Sequence, residues 1–528
     1  MDAAPPAARL TSAIAPTPFI LGAILAGTLA MWGVYFDTAW HRTVGRDTFF
    51  SLPHLFIYGA GFLVWVACVG AIVLATRGRL ADLGGIVLRA GRVRLPLGFA
   101  ISALGTAIIV LAVPTDLTWH AVFGKDLLIW SPPHLQGVVG GAIAALGVLF
   151  AVAGQKGRGF FAPVWRWRLV MLLPMVDLLH YVHWSLAHYA IFPWTRTPDF
   201  YPFIVALTVP MIVVAGARAA GAWAPTWAGL LFFLAVVVID AGLALIDFAR
   251  PAVTPIFAAP AAVVSLVYAR WPERRDAPAL AAAAAAVFVL GFVAMEAAWM
   301  AWVIGAPWPL ARVLAGLPVS VATGAVMGWV GWVLGGFLIA SAAPAGTAAV
   351  FGSASRARWL ARIAVLIVAV GLASTYRPQV FGPPLTVAEL RLDAEQRFPA
   401  QEALFWDALT HDDWPQGPVI DFYSEGTMDG IPLPVGPAWC APDSAALESE
   451  LPHVRFTLQV NGVPVDLARY PLVRQRLPDG RACAWIGAVS RGQRASRNQF
   501  VYTITPAAGA PPTIRPLRVE ATVVFKDP

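Results

Sequence analysis

Charged residues are scarce in this chain. Asp, Glu, Lys and Arg make up only 13% of its 528 residues, whereas soluble globular chains carry roughly a quarter. Hydrophobic residues make up 58%, and many stretches exceed the roughly 18 apolar residues that a helix needs to cross a hydrocarbon core. A soluble globular class is therefore excluded. The spans must be helices, because lipid offers no hydrogen-bond partner for bare backbone groups.

Cysteine is also rare, with only three in the chain. The C-x-x-C-H motif of covalent haem attachment is absent, and so are thiolate sets that would hold a soft metal. Cys68 falls in the middle of an apolar run, and we expect it to be a small buried residue. Cys440 and Cys483 both lie in the final third of the chain. We predict that they form a disulfide in an oxidising compartment; two unrelated buried thiols are the alternative.

The net charge of +7 does not indicate a nucleic-acid partner. The positive residues lie in short segments between apolar runs, which is the topology pattern of membrane proteins. We therefore expect the lipid bilayer as a partner and no nucleic acid.

The apolar runs predict a polytopic all-α transmembrane bundle of eleven helices. Seventeen Lys and Arg residues lie in the segments on one side of these spans and six on the other. The excess belongs in the cytoplasm, so the N-terminus is inside and the C-terminal tail is outside. The predicted location is the inner (cytoplasmic) membrane, with the tail in the periplasm or another extracytoplasmic space. The predicted spans are 17–36, 54–76, 95–113, 134–155, 165–185, 202–222, 226–247, 253–270, 278–303, 317–340 and 358–376.

The composition changes near Thr375, where the apolar runs stop. We therefore divide the chain into a transmembrane domain, 1–376, and an extracytoplasmic β-rich domain, 377–528, which is long enough to hold its own core. Asn461-Gly462 is typical of a tight hairpin turn, and Leu385–Leu409 reads as helical or extended joining structure. Rough alternation predicts strands at His453–Val460, Ala482–Val489, Asn498–Thr505 and Leu517–Phe525.

The histidines are unevenly distributed, since seven of the nine fall at the predicted outer ends of the first five spans. Two loops there resemble each other. The first reads DTAWHRTVGRDTFFSLPH from Asp37 to His54, and the second reads DLTWHAVFGKDLLIWSPPH from Asp116 to His134. Each joins an outgoing span to a returning one. They indicate an internal repeat of a helical hairpin, at 17–76 and 95–155.

The spacing in each loop favours a metal site. Asp37 and His41 are four residues apart and share one helix face, while His54 opens the returning helix. One carboxylate and two imidazoles can then converge, a donor set that leaves copper, zinc and non-haem iron open. Side chains that merely cap helices are the alternative. The second loop supplies the same set from Asp116, His120 and His134.

Four charged residues inside the loops are not proposed as ligands themselves. We expect them to contact the metal-bound groups and hold them in position. They are Arg46, Asp47, Lys125 and Asp126.

Further ionisable residues lie within spans. The fifth span reads DLLHYVHWSLAH, and its Asp and His residues are predicted to act as metal ligands or as proton carriers. Ionisable groups in a membrane are costly unless paired, so each is a candidate for a functional role; a buried, hydrogen-bonded acid is the alternative for the later spans. The residues are Asp177, His180, His183, His188, Asp240, Asp247 and Glu296.

The first loop resembles the copper-site stretch of the C subunit of particulate methane and ammonia monooxygenases. That family has an Asp, a His four residues later and a second His thirteen residues after that, positions that Asp37, His41 and His54 match. Trp40, Arg46, Asp47 and Thr48 match neighbouring positions, and the resemblance covers residues 37–76. It implies a copper ion held near the outer membrane face and work with other membrane subunits. The family's C subunit is smaller and has no evident second copy of the motif.

The leading hypothesis is a copper-binding integral membrane protein that acts as a monooxygenase-like oxidoreductase. One alternative is a metal-handling protein for copper acquisition or transport. Transport is less favoured because the inner halves of the spans contain few ionisable groups. Another alternative is a non-enzymatic membrane anchor that presents the outer domain to a partner.

Overall fold

The computed structural model describes residues 14–43, 51–81, 83–123, 132–185, 198, 200–246, 248, 257–304, 307–342, 382–392, 419–426, 433–476, 481–490, 496–511, 514 and 516–525. At some ends of helices and strands this description covers the backbone only, as at 41–43 and 119–123.

Ten helices precede the tail in the described part of the chain. They lie at ten of the eleven predicted spans; the eleventh, 358–376, falls outside the described residues. Eight of them, all except Val164–Ser185 and Ala258–Arg270, are long and apolar enough to cross a membrane, as expected of a multi-pass membrane protein. The helices are α1 Thr17–Thr43, α2 Leu52–Thr76, α3 Leu97–Phe123, α4 Pro132–Ala153, α5 Val164–Ser185, α6 Tyr201–Ala220, α7 Ala224–Leu245, α8 Ala258–Arg270, α9 Pro278–Trp299 and α10 Leu310–Ala342.

Several helix boundaries differ from the predicted ones. We predicted that the third span ends at residue 113, but α3 continues through Pro114 to Phe123. In a membrane, neighbouring groups and small local adjustments satisfy the backbone that a proline frees, so a proline need not end a helix. In contrast, α8 has 13 residues, fewer than the roughly 20 needed to cross a bilayer, and residues 253–256 of its predicted span lie outside the described part.

Several consecutive helices pack as hairpins, and α5 lies among four other helices. α1 packs against α2, and α3 against α4, while α10 packs along α6 and α9. α5 contacts α1, α4, α6 and α7. The side of α5 that carries Asp177, His180 and His183 is covered by these helices, since the three side chains are buried.

The α3–α4 hairpin has a close backbone approach that only glycine permits. A Cβ atom at Gly147 of α4 would clash with the backbone of Ser102 and Gly98 on α3, whereas one at Gly137, on the same helix, would meet nothing within 4 Å. Small residues at such positions let membrane helices pack closely.

We expect Gly147→Ala to lower the free energy of unfolding in detergent by about 2 kcal/mol or more, because the backbone of α3 would have to move away. Gly137→Ala is the matched control and should leave stability unchanged or raise it by roughly 0.5–1 kcal/mol. Thermal or denaturant unfolding of the two purified variants checks this. Equal stabilities would contradict the close packing.

A short β-hairpin connects α2 and α3. It consists of β1, Val87–Ala90, and β2, Val93–Pro96, paired antiparallel. The Thr76 hydroxyl at the end of α2 accepts a hydrogen bond from the Arg94 backbone N–H at 3.1 Å. The Leu97 N–H donates to the Ile86 carbonyl at 2.8 Å. Both ends of the hairpin are thus attached to helices that are long and apolar enough to cross a membrane.

The tail is built from strands, as its composition predicts. A five-stranded sheet has the order β4-β13-β12-β7-β8, and two three-stranded sheets have the orders β6-β10-β9 and β3-β11-β5. Among the described strand pairs of the tail, only β4–β13 is parallel. The elements are β3 Leu390–Leu392, β4 Val419–Gly426, β5 Leu433–Pro434, β6 Ala438–Ala441, α11 Ser444–Glu450, β7 Val454–Val460, β8 Val463–Pro464, β9 Leu472–Arg476, β10 Ala482–Ile486, β11 Ala488–Ser490, β12 Ser496–Pro506 and β13 Leu517–Phe525.

The predicted strands of the tail are present, with one correction. The run predicted as a single strand at Ala482–Val489 is interrupted at Gly487, and its two halves, β10 and β11, belong to different sheets. The segment predicted to join the domains contributes β3, which pairs with β11; residues 393–409 lie outside the described part.

Two local predictions in the tail agree with the structure. Asn461 and Gly462 both have positive φ, 51° and 79°, and connect β7 to β8 in a turn of the kind that Asn-Gly favours. Cys440 and Cys483 lie directly opposite each other on β6 and β10 and form a disulfide.

Candidate metal centre and the buried cluster on the fifth helix

The α1–α2 hairpin brings together two of the three predicted ligands of the first site. Asp37 lies near the C-terminal end of α1 and His54 in the first turn of α2. The His54 Nε2 atom is 3.3 Å from the Asp37 Oδ1 atom. Their side chains are 15% and 19% exposed for Asp37 and His54 respectively. The pair is thus partly screened from solvent.

The α3–α4 hairpin repeats this arrangement. The His134 Nε2 atom is 3.7 Å from the Asp116 Oδ1 atom, with the two side chains 32% and 23% exposed. Since α3 continues past Pro114, Asp116 occupies the same helical position as Asp37 in the first hairpin. The sequence repeat therefore corresponds to a repeated contact between a carboxylate and an imidazole.

The third predicted ligand of each site lies one turn further along the same helix. His41 is within α1 and His120 is within α3, four residues after Asp37 and Asp116. Residues four apart lie on the same face of a helix. The side chains of both histidines are outside the described part of the structure.

Six of the predicted functional residues fall wholly outside the described residues. They are Arg46, Asp47, Lys125, Asp126, His188 and Asp247.

Aromatic side chains lie close to the first pair. The His54 ring lies 5.5 Å from that of Tyr58. Trp40 packs against Phe36 and Phe248, each with ring centroids 5.8 Å apart. Trp40 is three residues after Asp37 on α1, so these rings lie near the pair.

The acid and two of the histidines predicted on the fifth span form a buried cluster. Asp177, His180 and His183 are 7%, 1% and 3% exposed. The carboxylate of Asp177 faces α1 at Gly27, where a Cβ atom would lie 2.8 Å from its Oδ2 atom. The absence of a side chain at Gly27 thus makes room for the acid between the two helices.

Tyr35, which was not among the predicted site residues, joins this cluster from α1. Its hydroxyl is 2.6 Å from the His183 Nδ1 atom, and its ring centroid is 4.8 Å from that of His180. A tyrosine hydroxyl inside a membrane span needs a hydrogen-bond partner, and this requirement was the signal that could have revealed it. Tyr35 lies two residues before Asp37, so α1 carries both the candidate metal pair and a contact with α5.

His180 stands out within the cluster. Neither of its ring nitrogens has a hydrogen-bond partner among the described protein atoms. A buried imidazole without a partner costs on the order of 1–3 kcal/mol. A water molecule or another polar group that meets this ring would remove that cost.

The two later acids that the structure describes are also buried. Asp240 on α7 is 7% exposed, and Glu296 on α9 is 1% exposed. Burial distinguishes them from acids that merely solvate helix ends.

The side chains that the structure describes include no group of three His, Cys, Asp or Glu residues arranged to hold a metal ion. His41 and His120 are outside this comparison, because their side chains are not described. Of the three predicted ligands of each metal site, the described side chains therefore show two, one Asp and one His.

Comparisons with known proteins found no match. No family model, no curated protein and no solved structure matches this chain.

Proposed function

We propose that this chain is a copper-binding membrane protein related to the copper membrane monooxygenases, with oxidoreductase activity. The observation that carries the proposal is the contact between Asp37 and His54 at the paired ends of α1 and α2. His41 would complete the first site from the next turn of α1. Asp116, His134 and His120 would form a second site in the same way.

The distance within the first pair fits two ligands of one metal ion. Ligands about 2.0–2.2 Å from a metal, at angles between square and tetrahedral, lie roughly 2.8–3.6 Å from each other. The Asp37–His54 distance of 3.3 Å falls in this range. The Asp116–His134 distance of 3.7 Å is slightly longer, so the second pair would have to close slightly.

The donor set supports copper among the metals that the ligands allow. Imidazole suits copper, zinc, iron and nickel, and for a given site of nitrogen and oxygen ligands the divalent affinity is highest for copper. Copper would supply one-electron redox chemistry and open positions for dioxygen or a substrate. The carboxylate would offset part of its charge, while the rings of Tyr58, Trp40 and Phe248 would keep the site poor in water.

The location that we propose follows from the charge distribution. The ends of the helices that carry the Asp–His pairs would face the outside of the inner membrane, as would the tail. The disulfide in the tail supports this orientation, because thiols in the cytosol are kept reduced.

Copper analysis of the purified protein tests the proposal. We expect His41→Ala combined with His120→Ala to lose most of the copper that the wild type retains after dialysis. The matched control is His411→Ala combined with His453→Ala, which removes two histidines from the tail and should retain the full copper content. Equal copper in wild type and the His41/His120 variant would refute the proposed sites, and a preference for zinc in competition would refute the choice of metal.

Spectroscopy then separates an oxidoreductase from a metal-handling protein. In the copper-loaded wild type, we expect a reductant to remove the paramagnetic Cu(II) signal and dioxygen to restore it within minutes. Copper that stays reduced in air, or that passes rapidly to a soluble chelator, would favour metal handling and contradict the redox role.

A further inference from the structure

The β1–β2 hairpin lies in a strongly basic segment between two helices that cross the membrane. Five arginines fall between the end of α2 and the start of α3, at positions 77, 79, 89, 92 and 94, against one acidic residue, Asp82. α2 ends at Thr76 and α3 begins at Leu97, so the hairpin must lie close to the membrane surface where those two helices end.

The register of the hairpin places two of these arginines directly opposite each other. Arg89 on β1 pairs with Arg94 on β2, and residues that are opposite in a sheet share one face. Like charges in such a pair are destabilising. The Arg94 Nε atom is buried and has no acceptor among the described residues. This face therefore offers a site for an anion.

The other face of the hairpin is apolar and uncovered. Leu88 lies opposite Leu95, and Ala90 opposite Val93. Leu88 is 48% exposed and Val93 is 41% exposed. One face thus carries guanidinium groups, while the other exposes aliphatic side chains next to a lipid bilayer.

We propose that this hairpin binds the headgroups of anionic phospholipids in the adjacent leaflet. The arginine face would contact the phosphates, and Leu88 and Val93 would enter the boundary between headgroups and acyl chains. Charge complementarity and the attachment of both hairpin ends to membrane helices single out lipid as the occupant. The proposal does not depend on the copper sites.

A label at position 93 tests where the hairpin lies. Cys68 is buried and the tail cysteines form a disulfide, so Val93→Cys adds one accessible thiol for a spin label. In vesicles that contain phosphatidylglycerol, we expect the label to be accessible to dioxygen and shielded from a water-soluble relaxation agent. A label at Glu273→Cys, in the exposed turn after α8, should stay accessible to the aqueous agent.

Paired charge variants test the role of the arginines. Arg89→Gln with Arg94→Gln should weaken phosphatidylglycerol binding to the detergent-solubilised protein by roughly 30-fold and expose the label at position 93 to water. Arg270→Gln with Arg274→Gln removes the same charge from the end of α8 and the turn after it, and should change neither the lipid binding nor the exposure of the label. Arg89→Lys with Arg94→Lys should retain most of the binding, because the charge is kept.

Three results would overturn the proposal. One is a label at position 93 that is equally exposed to water in phosphatidylcholine and phosphatidylglycerol vesicles. A second is an equal loss of phosphatidylglycerol binding in the Arg89→Gln/Arg94→Gln variant and in the Arg270→Gln/Arg274→Gln control. A third is full competition by inorganic phosphate at concentrations comparable to those of the lipid, which would indicate a site for a free anion.

Discussion

Replacing Asp37 with Ala is expected to weaken copper binding at the α1–α2 hairpin by more than about 100-fold. Changes to outer groups around a metal typically cost 10–100-fold in affinity, and Asp37 is proposed as a direct ligand. The α3–α4 hairpin has its own carboxylate, Asp116, at 3.7 Å from His134. It should therefore retain copper with unchanged affinity. Titration of the metal-free protein with copper under chelator competition measures both sites.

The corresponding change in the second hairpin, Asp116→Ala, is the control. Asp116→Ala should remove the second site and leave the first, while Asp37→Asn, which keeps the size of the side chain, should weaken the first site nearly as much as Asp37→Ala. If either single change removed both copper ions, the two hairpins would form one shared site. If neither changed copper affinity, the carboxylates would only bind the neighbouring imidazoles.

Replacing Cys440 and Cys483 together with Ala is expected to destabilise the tail by about 4 kcal/mol. The bridge closes a loop with a sequence separation of 43 residues, and the restriction of the unfolded chain by a loop of this length accounts for roughly that free energy. Both cysteines are 0% exposed, and Ala avoids leaving buried hydroxyl groups without partners. Proteolysis of the tail in increasing urea measures the change.

Two comparisons make this result interpretable. Wild-type protein treated with a reductant should resemble the double variant, whereas Cys68→Ala, far along the chain on α2, should leave the protease resistance of the tail unchanged. Copper binding at the helix ends should also remain, because both proposed sites are built from the first two hairpins. An unchanged urea midpoint for the tail would show that the disulfide contributes little to its stability.

The prediction of helices succeeded because the physics behind it is local. A run of apolar residues in a membrane must be helical, so the composition alone predicts where the helices lie. Their ends depend on contacts that the sequence does not display. Pro114 is inside α3 rather than at its end, and Gly487 divides a predicted strand into β10 and β11, which join different sheets.

In the candidate site too, the sequence predicts contacts between residues close along the chain but not contacts between distant ones. Spacing along the chain predicted that Asp37 would share a helix face with His41 and that His54 would open the next helix, and the short connection between α1 and α2 made the Asp–His contact foreseeable. Tyr35 could not be assigned a partner in this way, because His183 is 148 residues away. Nothing in local spacing relates α1 to α5.

The sequence by itself determined that this is a chain of membrane helices with a β-rich tail, that two hairpins repeat an Asp–His element, and which two cysteines could pair. These properties follow from composition and from spacings within a few helical turns. Only the tertiary structure decided that α5 packs against α1, so that Tyr35 meets His180 and His183. It also set Arg89 opposite Arg94 and Leu88 opposite Leu95 in the hairpin. Such contacts depend on side-chain packing and strand register, which join residues that the linear order leaves unrelated.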